Sequence, residues 1–276
     1  MAANGVVSSI TRMGTIEPFE LQVGRGQISM HQPYFRFGWA NTIGTNPQTI
    51  TTVVSAGAVY AYPTSATVMK VSSSDANDTS AGTGARTVLI VGLDANYNRI
   101  SEVVTLNGQT SVNTVNSYLR ITYSELTSTG SGNAQAGTIY VGTGTVTAGV
   151  PATVYWRSES SYNNWSFAGF TVPAGYTAYI SSYTITSQST TANINVSLGL
   201  VVFEYGTASS TTAQGYPEYQ STARLSSNGT FDRHFDIPLA FGEKSDVELR
   251  AWATTGSAVN VTGEIQYVLI KNDSQT

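Results

Sequence analysis

Histidine, the usual proton carrier near neutral pH, occurs only twice in this chain, at His31 and His234. The two lie in opposite halves. Neither stands in an HxH or HxxxH spacing that would set two imidazoles on one metal ion or build a triad. The run Asp94-Ala-Asn-Tyr-Asn98 carries oxygens at alternate positions, like the first half of a calcium loop, but Arg99 holds the sixth position, where such loops need Gly, and no Glu follows at the twelfth. The same residues suit an Asx-rich turn, in which side-chain oxygens bond nearby backbone N–H groups. Asp75 and Asp78 lie in a Ser/Gly loop with no further carboxylate beside them. Glu159, Glu204, Glu218 and Glu248 supply acids for a glycosidase pair, yet nothing in their spacing sets two of them across a cleft. No GxSxG, GxxxxGK or HExxH motif is present, and cysteine is absent. Catalytic residues, a cofactor and a bound metal are therefore not expected. What the chain does have is aromatic side chains. Tyr155–Trp156, Tyr162–Trp165 and Tyr205–Tyr219 can stack on sugars or fill a subunit interface, packing being the plainer use.

The elements that position these residues read as strands throughout. Ala66–Val71 is a strand-like run, followed by a loop of small polar residues from Ser72 to Ala85. Thr87–Leu93 and Ile100–Leu106 flank the Asx turn and read as a hairpin. Asn107-Gly108 is a second tight-turn pair, set between Val103–Leu106 and Thr110–Val115. Tyr118–Leu126 alternates, and short strands follow at 138–143 and 149–156. The polar stretch Ser158–Asn164 marks a boundary. Beyond it, strand patterns cover 176–187, 193–205, 223–237, 246–252 and 259–270. Strands arriving about every 8–12 residues indicate sandwiches or barrels. No segment of useful length carries the helical period.

The N-terminal part differs. Residues 1–16 lack periodicity. In Glu17–Trp39, Phe19, Leu21 and Val23 alternate as a strand would, and Tyr34-Phe-Arg-Phe-Gly-Trp39 follows Pro33, as in an edge strand or one shared with a partner.

Composition narrows the function classes. Charged residues make up 11% of the 276 residues, the net charge is −4, and there are 16 Tyr, 9 Phe and 4 Trp. Aromatic content at that level excludes a disordered chain, and 13 unclustered Lys and Arg exclude a phosphate-tracking stripe, so nucleic acid is not an expected partner. A neutral polar surface suits lasting protein contact or carbohydrate contact. The N-terminus lacks a signal-peptide pattern and no apolar run reaches a membrane span; synthesis in the cytosol and no membrane insertion are the expectation.

The run Ala66–Leu106, continued by Asn107-Gly-Gln-Thr110 and Asn116-Ser-Tyr-Leu-Arg-Ile121, resembles a recurring block of tailed-phage virion proteins, commonest in phages of marine bacteria and cyanobacteria. The matching residues are Gly82–Arg86, Gly92–Asn98 and Ser101–Gly108; Ala136–Ile139, Gly142–Gly144, Val172–Gly175 and Phe241–Asp246 look like later parts of the same set. The resemblance covers most of 18–270. It implies a virion structural protein without catalytic residues and leaves the position in the particle open.

The expectation is thus an all-β protein: an N-terminal arm and edge strand over 1–45, a β-sandwich of jelly-roll type over 46–157 and a second over 158–276, with 17–45 able to complete the second. Its expected role is structural and non-enzymatic, as a capsid decoration or cement protein or a head- or tail-attached part, localised to the virion. Its expected partners are copies of itself and other virion proteins. The candidate assembly contacts are Phe19, Leu21, Tyr34, Phe35, Phe37 and Trp39. The rival is a carbohydrate-binding receptor module that meets a host-surface glycan. A glycan-degrading enzyme ranks last.

Overall fold

The computed structural model describes residues 11–12, 15–160, 164–189, 194–204, 217–226, 228–254 and 259–272. The elements run β1 (Thr11–Arg12), β2 (Thr15–Ile16), α1 (Phe19–Gly24), β3 (His31–Ala40), β4 (Gln48–Thr49), β5 (Thr67–Ser73), β6 (Ala85–Leu93), β7 (Arg99–Thr105), β8 (Val112–Tyr118), β9 (Arg120–Thr129), β10 (Ile139–Thr147) and β11 (Val150–Glu159). They continue as β12 (Asn164–Trp165), β13 (Gly169–Thr171), β14 (Tyr176–Ser189), β15 (Asn195–Phe203), β16 (Pro217–Ser226), β17 (Gly229–Phe241), β18 (Asp246–Ala253) and β19 (Val259–Lys271). The fold is all-β, as the period-two patterns require.

The first half pairs a five-stranded sheet, β12-β11-β10-β5-β8, with a three-stranded one, β7-β6-β9. Met69, Val71, Val88, Ile90, Val104, Ile139, Val141 and Trp156 fill the space between them. β6 and β7 form the expected hairpin, with Thr87 opposite Thr105 and Leu93 opposite Arg99. The second half pairs β13-β18-β15-β16, with β4 added to β18, against β17-β14-β19-β3. Its core includes Ile180, Ile185, Leu198, Leu200, Leu249, Val261 and Ile265. β19 alternates cleanly, its odd-numbered residues from Val259 to Leu269 buried and Asn260, Thr262, Glu264 and Gln266 exposed. β14 changes phase: Ala178 and Ile180 are buried before an irregularity at Ser181, Tyr183 and Ile185 after it. One extra residue in a strand swaps its faces beyond that point.

One expectation needs correction and two become more definite. Phe19–Val23 is a helix. Pro18 has the fixed φ that opens one, its carbonyl accepts from the N–H groups of Leu21 and Gln22 at 3.1 Å each, and Gly26 at φ +68° ends the turn. The alternating apolar residues therefore do not share a face; Val23 is buried while Phe19 and Leu21 are half-exposed. β3 is an edge strand, one of the two readings of the sequence: it ends its sheet and pairs with β19 of the same chain over ten positions, from His31 opposite Ile270 to Ala40 opposite Val261. The Asn107-Gly108 turn forms as expected, Thr110 N–H donating to the Asn107 carbonyl at 3.1 Å, while its flanking strands part, β7 pairing with β6 and β8 with β5. Gly108, at φ +61°, carries the chain from one sheet to the other.

Two features place the halves against each other. β12 extends the first half's sheet through Trp165 opposite Ser158, and Trp165 and Phe167 join that half's core. β15 is buried along nearly its whole length. Val196, Leu198, Leu200 and Val202 face the second core, while Val201 and Phe203 face the first. A strand covered on both faces reads as a continuous apolar run. Its sheet is accordingly the middle layer of the molecule.

Candidate assembly surface

The sequence-derived contact residues fall on two elements. On β3, successive side chains point to opposite faces. Tyr34, Arg36, Gly38 and Ala40 turn inward, and Phe35, Phe37 and Trp39 form an outer row. In that row Phe35 and Phe37 have ring centroids 6.1 Å apart, and Phe37 and Trp39 also 6.1 Å with their planes 12° apart. Phe35 is 46% exposed; Phe37 and Trp39 are half-buried. Backbone contacts hold the far end of the row: Trp39 N–H donates to Ser166 Oγ at 2.7 Å and Phe167 N–H to the Phe37 carbonyl at 3.1 Å. Phe19 and Leu21 stand 53% and 50% exposed on α1. Phe19 meets the His31 ring edge-on at 5.8 Å.

Between α1 and the outer face of its sheet runs a groove of about 540 Å³. Phe19 and Val23 wall it on one side and Pro33, Phe35 and Val268 form its floor, with Pro238 beyond and Glu20 as the charged lining residue. The sheet's opposite end strand, β17, exposes Ile237. A solvent-facing apolar row beside an apolar groove is unusual for a free surface. Tyr34 is different from its five companions. It stacks on Tyr267 at 5.4 Å on the inner side and belongs to the groove lining, outside the outer row.

The residues weighed for chemistry are dispersed or already engaged. His31 and His234 lie on β3 and β17, opposite edges of one sheet. Asp94 Oδ1 accepts from the N–H groups of Asn96 and Asn98 at 2.8 and 2.9 Å, and Oδ2 accepts from Asn98 Nδ2 at 3.2 Å. Some desolvation acts against ionisation there, but these three bonds hold the Asp94 carboxyl below its ordinary pKa. Asp78 is buried, and its carboxylate accepts from Ser73 Oγ and from the N–H groups of Ala85, Ala136 and Gly137 at 2.6–2.9 Å. It thereby stitches the Ser/Gly loop to the loop before β10. A side chain on Gly84 would meet Asp78 Oδ1 at 2.1 Å, which explains the glycine. Among the described residues no three His, Cys, Asp or Glu side chains converge as metal ligands. Tyr162, Tyr205 and Tyr216 lie outside the described residues.

Sequence reading missed a buried ionic seam between the halves. Arg120 is 2% exposed and holds Asp246 through two parallel bonds, Nε to Oδ1 at 3.0 Å and Nη2 to Oδ2 at 2.8 Å. Its Nη1 donates to the carbonyls of Pro63 and Leu119 at 2.7 and 2.9 Å. Burial works against the guanidinium charge, and the Asp246 carboxylate more than offsets it. Beside this pair, Glu248 is fully buried, bonded to Arg250 Nε, to Tyr62 OH at 3.1 Å and to Thr49 Oγ1 at 3.2 Å. Desolvation still lifts its pKa above the usual carboxylate value. Tyr62 lies under the Arg120 guanidinium, 4.8 Å from ring centroid to Cζ. The one sequence signal was the alternation Asp246, Glu248, Arg250 against Val247, Leu249, Ala251, which otherwise reads as a wet outer face.

No protein-family model matches this chain, and no curated protein matches it. Among solved structures it is similar to the infectious bursal disease virus Gx strain structure, at 9% identity and a TM-score of 0.25, over 89% of this chain and 72% of that one. It is also similar to the infectious bursal disease virus subviral particle, at 8% identity and a TM-score of 0.21, over 89% and 73%. Such scores demonstrate no common fold.

Proposed function

We propose that this chain is a non-enzymatic structural component of a tailed-phage virion, a capsid decoration or cement protein or a head- or tail-attached part, assembled through symmetric β-rich contacts. The observation that carries it is the apolar row and groove of α1 and β3, with Phe19, Leu21 and Phe35 exposed, on a molecule of few charges whose other exposed apolar side chains include Val115 and Ile237. The block resemblance around Gly82–Gly108 supports the same role. Covering Phe19, Leu21 and Phe35 contributes about 1.5–3 kcal/mol for each side chain fully buried, enough for a few residues to dominate a contact. Repetition under symmetry multiplies a modest contact of this kind.

The test uses substitutions, because removing residues 1–45 would strip β3 from β19 and expose the core. Light scattering and a particle-binding assay compare the full chain with a Leu21→Ser/Phe35→Ser variant of unchanged melting temperature. The expected result is an oligomer or particle-bound protein whose association weakens by about tenfold or more in the variant. A monomer that ignores purified phage particles, or a variant that assembles as well as the parent, would overturn the proposal.

A further inference from the structure

On the inner side of β3 a second cavity opens between the two halves. It measures about 280 Å³ and is lined by Tyr34 and Arg36 of β3, Arg99 of β7, Tyr123 of β9, Phe170 of β13 and Tyr267 of β19, with aliphatic residues and two threonines completing the wall. Tyr34, Tyr267 and Phe170 form a continuous stack, with centroids 5.4 and 3.7 Å apart. Both guanidiniums lie over the same Tyr34 ring, Arg36 Cζ at 5.4 Å and Arg99 Cζ at 5.7 Å from its centroid. Arg99 also covers Tyr176 at 4.6 Å.

These two cations have no carboxylate within ion-pair distance among the described residues. Arg99 Nη1 donates to the neutral amide oxygen Gln32 Oε1 at 2.7 Å, an acceptor it shares with Tyr34 OH. Arg36 Nη1 donates to the Phe35 carbonyl at 3.2 Å, and its buried Nε has no acceptor. Most buried polar atoms find a partner, so an orphaned guanidinium nitrogen needs an explanation. The positive field reaches the cavity wall: burial pushes the Tyr267 hydroxyl up to about 12, with Arg36 and Arg99 both opposing that rise. Guanidiniums match carboxylates through paired N–H bonds, and flat aromatic walls suit the apolar face of a ring.

We propose that this cleft binds a carboxylate carried on a sugar ring, the chemistry of a uronic acid, with Arg36 and Arg99 on the carboxylate and the Tyr34–Tyr267–Phe170 stack against the ring. The volume accommodates one such unit. The carboxylate reaches the cleft either on a free monosaccharide or within an acidic polysaccharide. This cavity shares Tyr34 and Tyr267 with the groove beside α1, but Arg36 and Arg99 line this cavity and not that groove, and the inference does not depend on the assembly proposal.

Calorimetric titration of the full chain tests it, with sodium glucuronate, trigalacturonate, glucose, and sodium acetate or sulfate as probes. The expected result is binding of the acidic sugars and not of glucose, acetate or sulfate. Arg36→Gln and Arg99→Gln should each weaken it by about tenfold or more, the loss of one charge-assisted contact, with unchanged melting temperature. Trigalacturonate binding more tightly than glucuronate would assign the polysaccharide source, and equal binding the free monosaccharide. Absence of binding by both acidic sugars, equal binding by either variant, or sulfate or acetate binding as well as the sugars would overturn the proposal.

Discussion

Two groups of arginines stand on tyrosine rings in this protein, and they are used in opposite ways. At the seam, Arg120 lies 4.8 Å over Tyr62 with every nitrogen engaged, two of them on Asp246. In the cleft, Arg36 lies 5.4 Å over Tyr34 with one weakly engaged nitrogen and one orphan. Aromatic stacking is common to both, whereas Arg120 is buried, Arg36 half-buried and Arg99 exposed. The chemical difference is the carboxylate, present at the seam and missing from the cleft among the described residues. A paired, hydrogen-bonded ion is part of the folded structure, since removing one partner strands the other charge out of water. A guanidinium held by neutral acceptors keeps its capacity for an incoming anion, and its removal strands no charge.

The comparison makes graded predictions. The largest effect belongs to Arg120→Met, which leaves Asp246 buried and unpaired at the junction of the halves. Denaturant unfolding should show a loss of about 3–5 kcal/mol. A loss below about 1 kcal/mol would mean that the seam is wet or that Asp246 takes up a proton without consequence.

Tyr62→Phe should come next. It removes one donor to Glu248 and leaves the ring under Arg120, costing about 1.5–3 kcal/mol at pH 7. The pH dependence sharpens this. Burial raises the folded-state pKa of Glu248 above its ordinary 4.5, so the folded protein takes up a proton before the unfolded chain does. This group therefore adds stability as pH falls through its folded pKa towards 4.5. Losing the Tyr62 donor raises that pKa further, so the deficit of the variant should shrink between pH 7 and pH 5. A deficit that is constant or grows over that range would contradict the assigned contact.

The smallest effect is expected in the cleft. Arg36→Gln and Arg99→Gln should each change unfolding free energy by less than about 0.5 kcal/mol, as for side chains outside any paired network. A cost near that of Arg120→Met would break the distinction and make the cleft arginines structural.

Much of the fold was legible locally. The β6–β7 hairpin followed from two β-branched runs around Asp94–Asn98, and the turn chemistry there is the one that an Asx-rich loop dictates. The alternation of β19 matches its burial residue by residue. Other signals were misleading because two structures share them. Phe19, Leu21 and Val23 alternate as in a strand, yet Pro18 and Gly26 bracket one helical turn and a half. Asn107-Gly108 makes a tight turn whether the flanking strands pair or part, and here they part into different sheets. The aromatic run at 34–39 was visible as a cluster, but its division into an outer row and the inward-facing Tyr34 depends on which face of the β3–β19 sheet the core covers.

The sequence by itself determined the fold class, through the period of two and the turn residues, and the absence of cysteine chemistry, through composition. It also determined the neutral surface, since so few charges cannot coat a chain of this size. Only the tertiary structure decided which polar residues that surface excludes. Asp246, Glu248 and Arg250 alternate with apolar neighbours as a solvent-facing strand would, and they are buried because the first half of the chain covers that face of β18. Arg120 is buried for the same reason, and Arg36 and Arg99 meet at one ring although β3 and β7 are remote in sequence. Strand periodicity states which residues share a face; what covers the face is set by the packing of layers, and that is a property of the whole chain.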